Sequence, residues 1–158
     1  MSVVPSVFIS YSHADADVAQ RLRQRLSAHG VDAWLDTRNL RVGSTLDSSL
    51  RQHIEAAHVV VAIASQKSAD SKWCGLEIEC AIGLEKPVIP LFVEPVKAHA
   101  RFTNHKGFDV PTPRDFAGVA DELIRDLFAA LEQPVPDADR ALLEKELRQL
   151  ATRQTVLA

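Results

Sequence analysis

One glutamate sits where a glutamate is expensive. Residues 71–85 read SKWCGLEIECAIGLE. Wound as a helix at about 100° per residue, this stretch puts Trp73, Leu76, Cys80, Ala81 and Leu84 on one side. Glu77 falls among them, one turn after Trp73 and one before Ala81. Lys72 and Glu79 fall on the far side, where water is expected, and Glu79 reads as an ordinary solvated charge. A carboxylate in an apolar stripe is costly unless it meets a partner, a cleft or a ligand. Position alone leaves two readings open. Glu77 either reaches out at the edge of the stripe or pairs with a buried arginine, or else it serves a ligand. A lone carboxylate in a partly apolar cleft can bind hydroxyls and stabilise a developing positive charge. Trp73, one turn earlier, offers a stacking face, or is a rim aromatic of the core.

Other chemistries lack their residues. No Gly-x-Gly-x-x-Gly follows the first predicted strand, and there is no Gly-Lys-Ser/Thr phosphate loop. A phosphoacceptor receiver site needs an acidic cluster after strand one and an aspartate after strand three, and those places hold Ser10-Tyr11-Ser12 and Ser65. No serine or cysteine has an evident histidine partner, and the six histidines are scattered. No Cys/His cluster has metal-ligand spacing, so no metal site is expected.

The elements that must position Glu77 follow from the hydrophobic pattern. Residues 7–10 are a short apolar run of β-formers that ends in Ser10-Tyr11-Ser12-His13. Asp15 and Asp17 suit a helix N-terminus, and Val18, Leu22 and Leu26 give that helix its apolar stripe up to His29-Gly30. Residues 31–35 are a second strand closed by Asp36, and residues 37–45 form a polar loop broken by Gly43. Leu46, Leu50, Ile54 and Ala57 mark a second helix. Residues 59–64, VVVAIA, are apolar on both faces, which places them mid-sheet under helices. Residues 87–93 are a fourth strand, put nearer an edge by its two prolines. A short strand near 107–110 and a helix over 116–131 follow.

Strands alternating with helices imply βαβ units. The fold class is α/β: a flavodoxin-like open parallel sheet of about five strands with helices on both faces, plus a C-terminal helix. Such sheets bind ligands outside the carboxyl ends of the strands, at the switch point between strands one and three. Ser10, Tyr11 and Ser12, Asp36, and Ser65 lie there. The Trp73/Glu77 helix starts on the same side, which shifts the balance toward a ligand role for Glu77.

The 158 residues suit one domain, at 46% hydrophobic and 25% charged. A net charge of −3 with no long basic run argues against a dedicated nucleic-acid or membrane-surface binder. Cys74 and Cys80 point in different directions on one helix, so no mutual disulfide is expected. No apolar stretch approaches the ~18 residues of a membrane span, and no signal-like segment opens the chain. The expectation is a cytoplasmic protein. Domain boundaries are placed at 1–133 for the domain and 134–158 for a linker and amphipathic helix with Leu143, Leu147 and Leu150 as its stripe. Read as a connector, that tail would lead to a sensor module, fused or separate, in a longer natural protein.

At this point the residues resemble a known family. Val7-Phe8-Ile9-Ser10-Tyr11-Ser12 is similar to the first box of Toll/interleukin-1 receptor (TIR) domains. Leu35-Asp36 through Arg41-Val42-Gly43 resembles the second box and its BB loop. Ser65 through Trp73-Cys74-Gly75-Leu76-Glu77 resembles the Ser…Trp-Cys-x-x-Glu segment of the enzymatic branch. The resemblance covers about residues 5–132. Some family members are adaptors that signal by TIR–TIR contacts. Others cleave NAD at the nicotinamide–ribose bond. The resemblance implies that Glu77 is the catalytic glutamate of that second, here bacterial, branch. It implies that Phe8, Ser10, Ser12, His13, Asp36, Leu40 and Trp73 line the NAD cleft. Family members often carry Arg or Lys where this chain has Ser12 or His13, so Arg38 or Arg41 is expected to contact the phosphates. The function so implied is an NAD glycohydrolase of bacterial antiphage immunity, activated by self-assembly, giving ADP-ribose or a cyclic isomer. NAD is then a substrate, not a cofactor. The alternative is a non-catalytic module acting through homotypic contacts.

Overall fold

A computed structural model of the chain describes residues 4–35, 48–94, 102 and 107–131. Five strands run in parallel in the order β2-β1-β3-β4-β5. They are β1 (Ser6–Ser10), β2 (Asp32–Leu35), β3 (Val59–Ala64), β4 (Val88–Phe92) and β5 (Phe108–Asp109). The helices are α1 (Ala16–Ala28), α2 (Ser48–Ala56), α3 (Gln66–Ala69), α4 (Lys72–Gly83) and α5 (Phe116–Ala130). The order reverses between β1 and β3, which is the switch point expected from the sequence.

Strand alternation splits the interior into two layers. Val7 and Ile9 of β1 and Val59, Val61 and Ile63 of β3 face one way, onto Leu22 and Leu26 of α1 and Leu123, Ile124 and Leu127 of α5. Phe8 and the even-numbered β3 residues Val60, Ala62 and Ala64 face the other way, onto Leu50 and Ile54 of α2 and Ile78 and Ala81 of α4. The unbroken burial of β3 follows from being covered on both faces.

Local signals place the ends. Gly30, at φ 79°, follows α1 in the left-handed region that glycine enters without strain. Pro90 lies inside β4 and pairs in register with Ala62, one strand in from the edge. The opposite neighbour is Gly107, where an added Cβ would lie 2.4 Å from the Pro90 carbonyl oxygen and 2.6 Å from its Cγ. A glycine is what lets the chain enter β5 this close to β4.

The α4 face differs from the sequence reading. Its buried residues are Cys74, Gly75, Glu77, Ile78 and Ala81. Trp73, Leu76, Cys80 and Leu84, expected to form the apolar side around Glu77, are half-buried at the flanks of the buried face, and Ile82 is 48% exposed. The helix is apolar nearly all round, so its pattern cannot choose a face. Contact with β1, β3, β4 and α2 does. Glu77 is central in either setting. The loop of residues 37–45, Asp36, and the C-terminal helix lie outside the described residues, as does the boundary at residue 133.

Candidate functional site

The carboxyl ends of the strands on either side of the switch point hold Ser10 and Ser65, and α4 brings Glu77 to them. Ser71 caps α4 by accepting a hydrogen bond from the Cys74 backbone N–H at 3.2 Å. This starts the helix at Lys72, one residue before Trp73, and sets its first turns over the sheet. Glu77 is 1% exposed, and so is Ser10. The Ser10 hydroxyl donates to Glu77 Oε1 at 3.0 Å across 67 positions of sequence. Glu77 Oε2 is buried as well. The carboxylate is therefore closed off from solvent.

A second contact joins the same strand ends. The Ser65 hydroxyl donates to Asp15 Oδ2 at 2.5 Å, and Ser65 also caps α3 in a reciprocal pair with Ser68. Asp15 closes a 3-10 turn, His13–Asp15, that leads from β1 into α1. It stands at the helix start as the sequence suggests, but its side chain makes no cap bond there and turns to Ser65 instead. Sequence reasoning missed this tie, because it joins residues 50 positions apart that only the parallel pairing of β1 with β3 brings together.

Each residue expected at the site has a place or lies beyond view. Ser10 and Glu77 are brought together. Trp73 is half-buried one turn before Glu77 and packs against the α2/α4 layer. Ser12 accepts from the Ala14 backbone N–H at 3.3 Å, capping the 3-10 turn, and His13 is exposed on that turn. Phe8 does not border open space: it is 0% exposed and stacks on Trp34 at 5.1 Å between ring centroids. As β1 alternates, Phe8 lies two residues beneath Ser10 on the same face, so it supports the site from within the core. Asp36, Arg38, Leu40 and Arg41 lie outside the described residues.

The electrostatics are local. Burial pushes the Cys80 thiol up; Arg51 opposes this, and the carboxylates of Glu55 and Glu77 add to it. Cys80 is therefore a poor nucleophile and a neutral neighbour for Glu77. Among the described residues no group of His, Cys, Asp and Glu could hold a metal ion, and no helix is long and apolar enough to cross a membrane. Two open grooves lie elsewhere. One, of about 390 Å³, runs between α1 and α5, and the other, of about 370 Å³, lies beside Asp32, Trp34 and His53.

Comparison with known proteins gives a consistent picture. The sequence profile of the TIR domain matches residues 7–124. The probable 2′ cyclic ADP-D-ribose synthase BdTIR of Brachypodium distachyon is 32% identical over 90 residues, covering 56% of this chain and 40% of that protein. The TMV resistance protein N of Nicotiana glutinosa is 28% identical over 101 residues, covering 60% of this chain and 9% of that protein. The chain thus spans 40% and 9% of these two curated relatives. Among solved structures, the TIR domain of the Toll-related receptor TRR-2 from Hydra magnipapillata superposes with a TM-score of 0.63 at 20% identity, over 77% of this chain and 96% of that one. The TIR domains of the activated Roq1 resistosome superpose with a TM-score of 0.61 at 20% identity, over 78% of this chain and 99% of that one. At such identities the structural likeness shows the fold.

Proposed function

This chain belongs to the TIR-domain family, and on that premise we propose that it cleaves NAD at the nicotinamide–ribose bond, with Glu77 as the catalytic carboxylate. The observation that carries the reading is a buried glutamate, four residues after Trp73, held by Ser10 at the switch point of the sheet. A pure adaptor has no chemical need for a carboxylate there, where burial is costly.

The chemistry suits a single carboxylate. The bond between the pyridinium nitrogen and ribose C1′ breaks, and nicotinamide leaves as a neutral molecule with the bonding pair. No acid is needed to protonate it, unlike an ordinary glycosidase with its two carboxyl groups. Positive charge develops on C1′ and the ring oxygen, and Glu77 stabilises it while accepting from the ribose hydroxyls. Water then adds to C1′ and loses a proton, giving ADP-ribose. If a hydroxyl of the same molecule adds instead, the product is a cyclic isomer, the class named for the Brachypodium relative. Trp73 supplies a stacking face for nicotinamide or adenine. Ser12, His13, Asp36, Leu40 and Arg41 complete the cleft, with Arg38 or Arg41 at the phosphates.

We place this activity in immune signalling, in a bacterial cytoplasm, and switched on by self-assembly. A plant resistance protein among the relatives and TIR domains within an assembled resistosome support the link to immunity and to self-assembly, and the bacterial cytoplasm is carried by the resemblance alone. The test is nicotinamide release from NAD at rising protein concentration, with and without an agent that clusters the domain, for wild type and Glu77→Ala. Release that climbs with concentration and vanishes in the variant supports both the enzyme and its need for assembly. Background release from both proteins, even when clustered, leaves a module that acts by protein contacts.

A further inference from the structure

We propose that Ser10 is a positioning residue: its hydroxyl holds the Glu77 carboxylate in place and does not touch the substrate. This goes beyond the cleft-lining role implied by resemblance, and it rests on the catalytic reading of Glu77 given above.

Three observations carry it. Ser10 is 1% exposed and closes β1 under α4, so its side chain is packed inside the fold against Glu77. A serine has one hydroxyl proton to donate, and here that proton goes to Glu77 Oε1 at 3.0 Å. The surrounding face is apolar, with Phe8 on the same strand and Val60, Ala62 and Ala64 on the next. A hydroxyl in such a setting is costly unless it is used. The anchor is also rigid. Ser10 closes β1, an interior strand of the sheet, and pairs in register with Ala62 of β3. A glutamate on a helix has several rotatable bonds and would spread over rotamers. Tied to the sheet, the carboxylate is held where a sugar carbon must meet it, and an error of about 1 Å there can cost about 100-fold in rate.

The experiment measures kcat and KM for nicotinamide release under clustering conditions, with unfolding midpoints taken in parallel. The variants are Ser10→Ala, Ser10→Cys, Ser10→Thr and Glu77→Gln. Cysteine nearly keeps the volume but donates weakly, while threonine keeps the hydroxyl. The expected result is a kcat lowered about 10- to 100-fold in Ser10→Ala and Ser10→Cys, as for the loss of a hydrogen bond to a charged group. KM should stay within about twofold, and Ser10→Thr should retain most of the rate. A raised KM with kcat unchanged would overturn the proposal, since it would mean that the hydroxyl touches substrate. So would unaltered kinetics in Ser10→Ala while Glu77→Gln is dead, or a loss in Ser10→Thr equal to that in Ser10→Ala at an unchanged unfolding midpoint. Wild type without any release removes the catalytic reading, and the positioning role goes with it.

Discussion

Shortening Glu77 by one methylene tests whether its position, and not only its charge, matters. Glu77→Asp keeps the carboxylate but sets it back toward α4 by roughly one carbon–carbon bond, about 1.5 Å. The 3.0 Å contact with Ser10 then opens to more than about 4 Å, past the reach of a hydrogen bond. The variant should fold, because one buried methylene is worth about 0.8 kcal/mol in a domain stable by about 5–15 kcal/mol. Its carboxylate, however, would be misplaced by more than 1 Å relative to the ribose, and kcat should fall about 100-fold. KM should change little, since the loss falls on the transition state. The assay is steady-state nicotinamide release at the protein concentration where wild type is most active, with circular dichroism confirming the fold. Retention of more than about half the wild-type rate would refute the reasoning. A loss of the same size in KM instead of kcat would show that Glu77 binds substrate without favouring the transition state.

Phe8→Leu should behave as a core substitution, lowering stability by about 1–2 kcal/mol with KM unchanged, because the ring is wholly buried against Trp34; urea unfolding beside kinetics checks both. Gly107→Ala should cost about 1–3 kcal/mol, since its Cβ would meet the Pro90 carbonyl oxygen at 2.4 Å and β5 must move; a midpoint within error of wild type would contradict the close approach. Arg25 grips Asp121 through two hydrogen bonds of 2.8 Å, joining α1 to α5. Those bonds hold the Asp121 carboxyl below the usual carboxylate range. A folded value below the unfolded one, about 3.9, means the stabilisation is present above that pH and is lost as pH falls through the folded value. Both side chains are partly exposed, so Asp121→Asn should cost about 0.5–1 kcal/mol at pH 7, and the difference from wild type should shrink below pH ~4. A cost that is the same at pH 7 and pH 3 would refute the linkage.

Much of the fold was legible because it rests on local pattern. The unbroken apolar run of residues 59–64 could only be a covered central strand, and its bounds match β3. The Leu22/Leu26 stripe and the stop at His29-Gly30 likewise gave α1 its length and its buried side. Strand–helix alternation then restricted the topology to a doubly wound parallel sheet and placed the switch point. The sequence also singled out Glu77 as a carboxylate among apolar neighbours. It did not orient α4, because a helix apolar nearly all round has no preferred side until the sheet presents one. Cys74 and Ile78 took the core, and Trp73 and Cys80 moved to its flanks. Only the family resemblance gave Phe8 a place in the cleft; in the fold, alternation along β1 turns its ring into the core against Trp34. The partners of Glu77 and Asp15 were beyond reach for the same reason. Ser10 stands 67 positions from Glu77, and Ser65 stands 50 from Asp15. Periodicity reports what lies within a turn or a strand. Which hydroxyl meets which carboxylate across a crevice is set by the register between strands and the docking of a helix, and those exist only once the chain has folded.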